Sequence, residues 1–189
     1  SIASGTFNLD YFTIQGLNIT GGATVNMTNV VDQGNNTGVN IISTTGATNK
    51  NLYWVGGSGN WTNGNNWSET SGGTAYGCKP NATDNIYFDA NSFNAAGQTV
   101  TVDITGDLCK SMDWSGATNS PTFNVNSKKI NIAGSLTLIP EMSWSGNNIN
   151  LGTTFTSTQA SNSIATAGHN LGRLWFDGPG AEWNLTDNV

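Results

Sequence analysis

The sequence predicts an all-β protein built as a β-solenoid, and three observations carry this. Helix formers are scarce: three Glu and five Lys occur in 189 residues, against 28 Asn, 25 Thr and 24 Gly. No stretch keeps a 3.6-residue apolar period long enough for an amphipathic helix. The apolar residues instead come as apolar-polar-apolar triplets, each a short strand with one buried face, separated by Gly or Asn corners at spacings of roughly 6 to 11 residues. A β-sandwich of hairpins is the alternative, but it needs longer strands joined by two-residue turns. The one Asn-Gly (Asn63-Gly64) and the one Asp-Gly (Asp177-Gly178) are not flanked by two clear strands. Short strands turning at single corners fit coils of roughly 20 to 30 residues stacked on one another.

Taken in order, residues 5–42 hold the alternating pairs Phe7 and Leu9, Phe12 and Ile14, Leu17 and Ile19, Val25 and Met27, and Val39 and Ile41. Ser43 to Asn51 is polar and low in complexity, and reads as a junction. Beyond it lies the stretch that organises the chain. Trp54, Trp61 and Trp67 put three of the seven tryptophans within fourteen residues, and a polar loop then leads to Pro80. Alternation resumes at Val100, Val102 and Ile104, with Thr101 and Asp103 facing the other way. Met112 and Trp114, Phe123 and Val125, Ile130 and Ile132, Leu136 and Leu138, and Met142 and Trp144 follow. Ile149 and Leu151, Phe155, Leu174 and Phe176, and Trp183 and Leu185 complete the series. The domain reading is 1–48 as the end of one unit and 52–189 as the start of the next. Within the second unit, 52–93 is a Trp-rich opening motif and 98–189 the coils.

Only 10% of residues are charged, against about 25% in typical soluble proteins. The net charge of −6 argues against a nucleic-acid surface, and Lys128 with Lys129 is the only basic cluster. No apolar run approaches the ~20 residues of a membrane span. The start, Ser1-Ile2-Ala3-Ser4-Gly5, lacks the basic and apolar regions of a signal peptide and reads like a cut inside a longer chain. Cys78 and Cys109 both sit beside turn residues. They are expected to form a disulfide tying the loop after Trp67 to the coil that begins at Val100, with two free buried thiols as the alternative.

The run Trp61, Asn66-Trp67-Ser68, Pro80, Asp84, Ile86, Phe88 and Asp89 resembles an opening motif of β-helix repeats. These repeats belong to giant secreted surface proteins and gliding-type adhesins of Bacteroidota. The resemblance continues through Thr83-Asp84-Asn85, Phe88-Asp89-Ala90-Asn91-Ser92-Phe93, Thr99-Val100-Thr101-Val102-Asp103, Asp113-Trp114-Ser115-Gly116-Ala117, Gly134-Ser135-Leu136-Thr137 and Trp183-Asn184-Leu185-Thr186-Asp187. Residues 9–41 resemble the end of such a unit, in Asp10-Tyr11-Phe12-Thr13-Ile14-Gln15, Gly21-Gly22-Ala23-Thr24 and Asn35-Asn36-Thr37-Gly38. Val39 departs from the pattern, which would place a tryptophan there. The resemblance implies a right-handed parallel β-helix fragment, export by type IX secretion, and a surface role in adhesion or gliding motility. It brings no catalytic residues.

The residues themselves offer little chemistry. His169 is the only histidine and Arg173 the only arginine, so triads, histidine metal sites and basic uronate subsites lack material. Asp84 and Asp89 have the residue types of a glycosidase pair, but an Asx-turn accounts for Asp84. No cofactor is expected; the one metal alternative is calcium shared by Asp103, Asp107 and Asp113. Trp54, Trp61 and Trp67 are expected either to cap the end of the coil stack or to form a glycan platform. Seven Asn-x-Ser/Thr sequons match the roughly six that composition yields by chance, so they are no evidence of glycosylation. The expected function is a non-catalytic, rigid, extended spacer in a large secreted cell-surface adhesin or filament. The alternatives are a carbohydrate-binding module and a β-helix glycan enzyme. Expected partners are neighbouring units of the same chain, with surface glycans or other copies of itself left open, and neither nucleic acid nor membrane insertion.

Overall fold

The computed structural model describes residues 5–10, 12–14, 16–21, 23–28, 30–32, 37–41, 49–148 and 150–187. The junction at 43–48, the Asn35-Asn36 pair and Ile149 lie outside the described residues. The chain forms two compact units, Ser1–Thr48 and Asn49–Val189.

The first unit has strands β1 (Gly5–Asp10), β2 (Thr13–Ile14), β3 (Ala23–Thr28), β4 (Val31–Asp32) and β5 (Asn40–Ile41). They pair in parallel in the orders β1-β3-β5 and β2-β4, and Asn18 bridges Thr37. Asn8 and Asn26, 18 residues apart, share a side-chain hydrogen bond of 3.1 Å, one coil above the other. Ile14, Val25, Met27 and Val30 make a small core. Phe12, read from sequence as the inward partner of Ile14, is instead 46% exposed. The strand there is only Thr13–Ile14, so the two-residue alternation does not extend back to Phe12.

The second unit opens with β6 (Asn51–Trp54), β7 (Gly59–Asn60), a single 3-10 turn at Gly64–Asn66, and β8 (Trp67–Ser68). Three coils follow: β9 (Asn85–Tyr87), β10 (Thr99–Thr101) and β11 (Gly106–Cys109); β12 (Ser111–Asp113), β13 (Thr122–Asn124) and β14 (Ile130–Ile132); β15 (Leu136–Thr137), β16 (Ser143–Ser145) and β17 (Thr153–Phe155). Strands β18 (Asn162–Ala165), β19 (Leu174–Phe176) and β20 (Trp183–Leu185) finish the stack. Equivalent strands form three sheets, in the orders β20-β18-β15-β12-β9-β6-β8, β16-β13-β10-β7 and β11-β14-β17-β19. Among the described residues every pairing is parallel except β6 with β8. This is a three-sided β-solenoid of about four turns, not a hairpin sandwich.

Coil length varies where loops are inserted. Ladder partners lie 24 residues apart between β12 and β15 and 28 apart between β15 and β18. Between β6 and β9 the step is 34, because the tryptophan segment and its polar loop intervene. Because side chains alternate along a strand, inward residues stack into columns. One column on the first sheet runs Leu52, Ile86, Met112, Leu136, Ile164, all buried. Beside it Trp114 stacks on Phe88, with ring centroids 3.5 Å apart and planes within 9°. The second sheet contributes Val100, Phe123 and Trp144, and the third Ile132 and Phe155. Each large side chain so buried contributes about 1.5–3 kcal/mol. Phe176 and Leu185 occupy inward positions on the last described rungs and are 50% and 45% exposed.

Candidate functional site

The tryptophan segment closes one end of the second unit. Trp54, Trp61 and Trp67 are all at 0% exposure. Trp67 meets Trp61 and Trp54 edge to face, with centroids 4.7 and 5.0 Å apart. The Trp67 indole N–H donates to the Trp61 carbonyl at 2.8 Å, and that of Trp54 donates to Gly57 at 2.9 Å. Strand β8 lies antiparallel along the outer edge of β6, so it covers the edge on which another parallel coil would add. The glycines here serve close packing. The Asn66 side chain lies between Gly56 and Gly59, where a Cβ would sit 2.5 and 2.3 Å from it, and its amide donates to the Asn60 carbonyl at 3.0 Å. None of the three indoles presents a face on which a sugar could stack.

The expected disulfide is not formed. Cys78 is exposed on the polar loop, whereas Cys109 is buried at the end of β11, and both thiols are free. The inward position in β11 takes Cys109 into the core as a small apolar residue, while the loop carrying Cys78 stays at the surface. Burial pushes the Cys109 thiol far above its ordinary range. An aromatic disulfide reagent should therefore titrate one thiol in the native protein and two after denaturation. No thiol in either state would restore the disulfide.

The acids are taken up by local structure. Asp84 is 1% exposed and accepts the backbone N–H of Lys50 at 3.1 Å and of Asn81 at 3.0 Å. It thereby ties the start of β9 to the start of β6. Asp89 accepts from Asn91 N–H at 2.9 Å, an Asx-turn. Asp103 accepts from both the N–H and the hydroxyl of Thr62, Asp107 from the Asn131 amide at 2.8 Å, and Asp113 from Ser115 N–H at 2.8 Å. The three acids weighed for calcium thus serve three separate places. No group of three or more metal-ligating side chains occurs among the described residues. His169 Nε2 lies 2.9 Å from the Ile139 carbonyl, a contact between coils.

Asp84 carries a pH signature. Burial raises its carboxyl above the usual range, and the N–H donors of Asn81 and Lys50 with the charges of Lys50 and Lys79 offset only part of that. Folding therefore favours the protonated form. The stabilisation is fully present below the unfolded pKa, near 4, and is lost as pH rises through the folded value. Urea melts across this window should show the stability of the native sequence falling relative to Asp84→Asn as pH rises; the opposite slope would contradict the burial assignment.

Sequence reasoning missed one exposed constellation. On β19 Trp175 is 49% exposed, and the Arg173 guanidinium lies 5.3 Å from its ring centroid. The cue in the sequence was Leu174-Trp175-Phe176, where the middle residue of an inward-outward-inward triplet is an aromatic. No protein-family model matches this chain, and no curated protein or solved structure matches it.

Proposed function

We propose that this chain is a non-catalytic structural segment of a large secreted bacterial cell-surface adhesin or filament, acting as a rigid extended spacer. The observation that carries the reading is the unbroken stack of inward columns, from Leu52 to Ile164 on one sheet alone, in a parallel solenoid. Coil-to-coil hydrogen bonds and a continuous apolar core resist bending, which suits a stalk under shear. The acids at Asp84, Asp89, Asp103 and Asp113 hold turns and coil contacts, a structural use of titratable groups. The partners in this reading are neighbouring repeat units of the same chain. Adhesion by such units is weak singly and gains strength in series.

Two experiments bear on this. Antibody raised against the purified chain should label intact cells of the source bacterium, and mild surface proteolysis should remove the signal; labelling only after lysis would overturn the surface role. Incubating the purified chain with surface and plant-type polysaccharides should release no reducing ends. Turnover abolished by Asp84→Ala or Asp89→Ala would replace the spacer with a glycan-active enzyme.

A further inference from the structure

The third sheet carries a row of outward side chains in which two buried polar atoms have no hydrogen-bond partner. The register places Asp107, Asn131, Thr154 and Trp175 one above another on β11, β14, β17 and β19. At about 4.8 Å per rung the row is roughly 14 Å long. The Asn131 Nδ2 donates to Asp107 Oδ1 at 2.8 Å, and the other end of the same amide, Asn131 Oδ1, is left without a partner. That Oδ1 and the Thr154 hydroxyl are buried and make no hydrogen bond within the protein. Thr154 is 4% exposed and next in register to Trp175. Unused buried hydrogen-bonding groups are costly, and a native fold keeps few of them.

We propose that this row is a glycan-binding strip for a neutral oligosaccharide chain lying along the solenoid axis. A pyranose has an apolar C–H face and a rim of hydroxyls. The half-exposed indole of Trp175, held by Arg173, matches the face, and Thr154 Oγ1 and Asn131 Oδ1 match the rim. Both polar atoms are covered, so a neighbouring side chain must turn aside to admit a sugar hydroxyl; Trp175 is the register partner of Thr154 and the exposed member of the row. A peptide adding by backbone pairing does not reach Asn131 and Thr154, because β14 and β17 are hydrogen-bonded on both edges and only the outer edges of β11 and β19 are open. A polyanionic glycan does not fit either, since the chain carries a net charge of −6 and the row ends at Asp107. Trp175 is on an outward position, so its exposure differs in kind from that of Phe176, which faces inward at the end of the stack.

The test is isothermal titration of the whole purified chain with cellohexaose, xylohexaose, laminarihexaose and chitohexaose, and with polygalacturonate as the anionic probe. At least one neutral hexasaccharide should bind. Trp175→Ala should weaken it tenfold or more with melting unchanged, and Thr154→Val severalfold with melting unchanged or raised, since that variant removes an unpaired buried hydroxyl. Thr154→Val removes the unused hydroxyl while keeping the shape, so a merely structural role would leave affinity unmoved. The proposal is overturned if none of the four neutral sugars binds, if binding survives Trp175→Ala, or if polygalacturonate binds in preference. Self-association in sedimentation that Trp175→Ala abolishes would also overturn it and assign the strip to a second copy of the chain. The spacer reading does not depend on this outcome, since a stalk that binds no sugar remains a stalk.

Discussion

Replacing Trp67 with Ala should destabilise the second unit by about 3–5 kcal/mol, the range for emptying a large aromatic from a packed core. Trp67 is at 0% exposure and touches Trp54, Trp61 and Phe88. Its N–H satisfies the Trp61 carbonyl, and its own backbone takes part in the only antiparallel pairing among the described residues. Truncation removes the ring, orphans a buried carbonyl and loosens β8 from β6. Chemical denaturation measures the loss. The cap also predicts where the damage falls: amide hydrogen exchange should accelerate first in β6 and β8, while β14 and β17 remain protected at low denaturant. A loss below about 1 kcal/mol, within the ordinary spread of single substitutions, would mean that the end of the stack holds together without this ring.

Gly152→Ala should cost about 1–3 kcal/mol more than Gly97→Ala, the extra being the penalty for forcing atoms into a packed position. Both glycines have φ in the left-handed region, at +75° and +71°, so both substitutions carry the same backbone strain. They differ in surroundings. A Cβ on Gly152 would sit 2.0 Å from the Arg173 carbonyl oxygen, whereas one on Gly97 meets nothing within 4 Å. The corner at Gly152 lies directly under the next coil, whose register begins when Thr153 N–H donates to that same Arg173 carbonyl at 2.9 Å. The added methyl therefore pushes β19 off β17. Paired thermal melts of the two variants make the comparison; equal losses would mean that the coils can part at this corner without cost.

Much of the solenoid was legible in the residues. The pairs Met112 and Trp114, Phe123 and Val125, Ile130 and Ile132, and Leu136 and Leu138 are all buried as their alternation predicts. Two strands escaped the pattern. In β18 the inward positions include Asn162, which donates to the carbonyls of Gln159 and Glu182, and the buried Thr166 that follows bonds to Asp187. In β11 the inward positions near its end are Leu108 and Cys109, adjacent in sequence, because the register with β14 shifts between Asp107 and Cys109. A polar residue that finds its partner on the next coil looks like a loop residue when only its own coil is read.

By itself the sequence determined the fold class. Side-chain direction in a strand has a period of two, and Gly or Asn at the corners is a local requirement, so both are written in neighbouring residues. Only the tertiary structure decided the sites. Asp84 is defined by Lys50, 34 residues earlier, Cys109 by its depth in the core, and the burial of Trp54, Trp61 and Trp67 by β8 folding back on β6. It also decided that the exposed tryptophan is Trp175, beside two polar atoms contributed by other coils. In a solenoid those neighbours come from coils some 20 to 30 residues away, and the insertions that set each coil's length shift which residues meet.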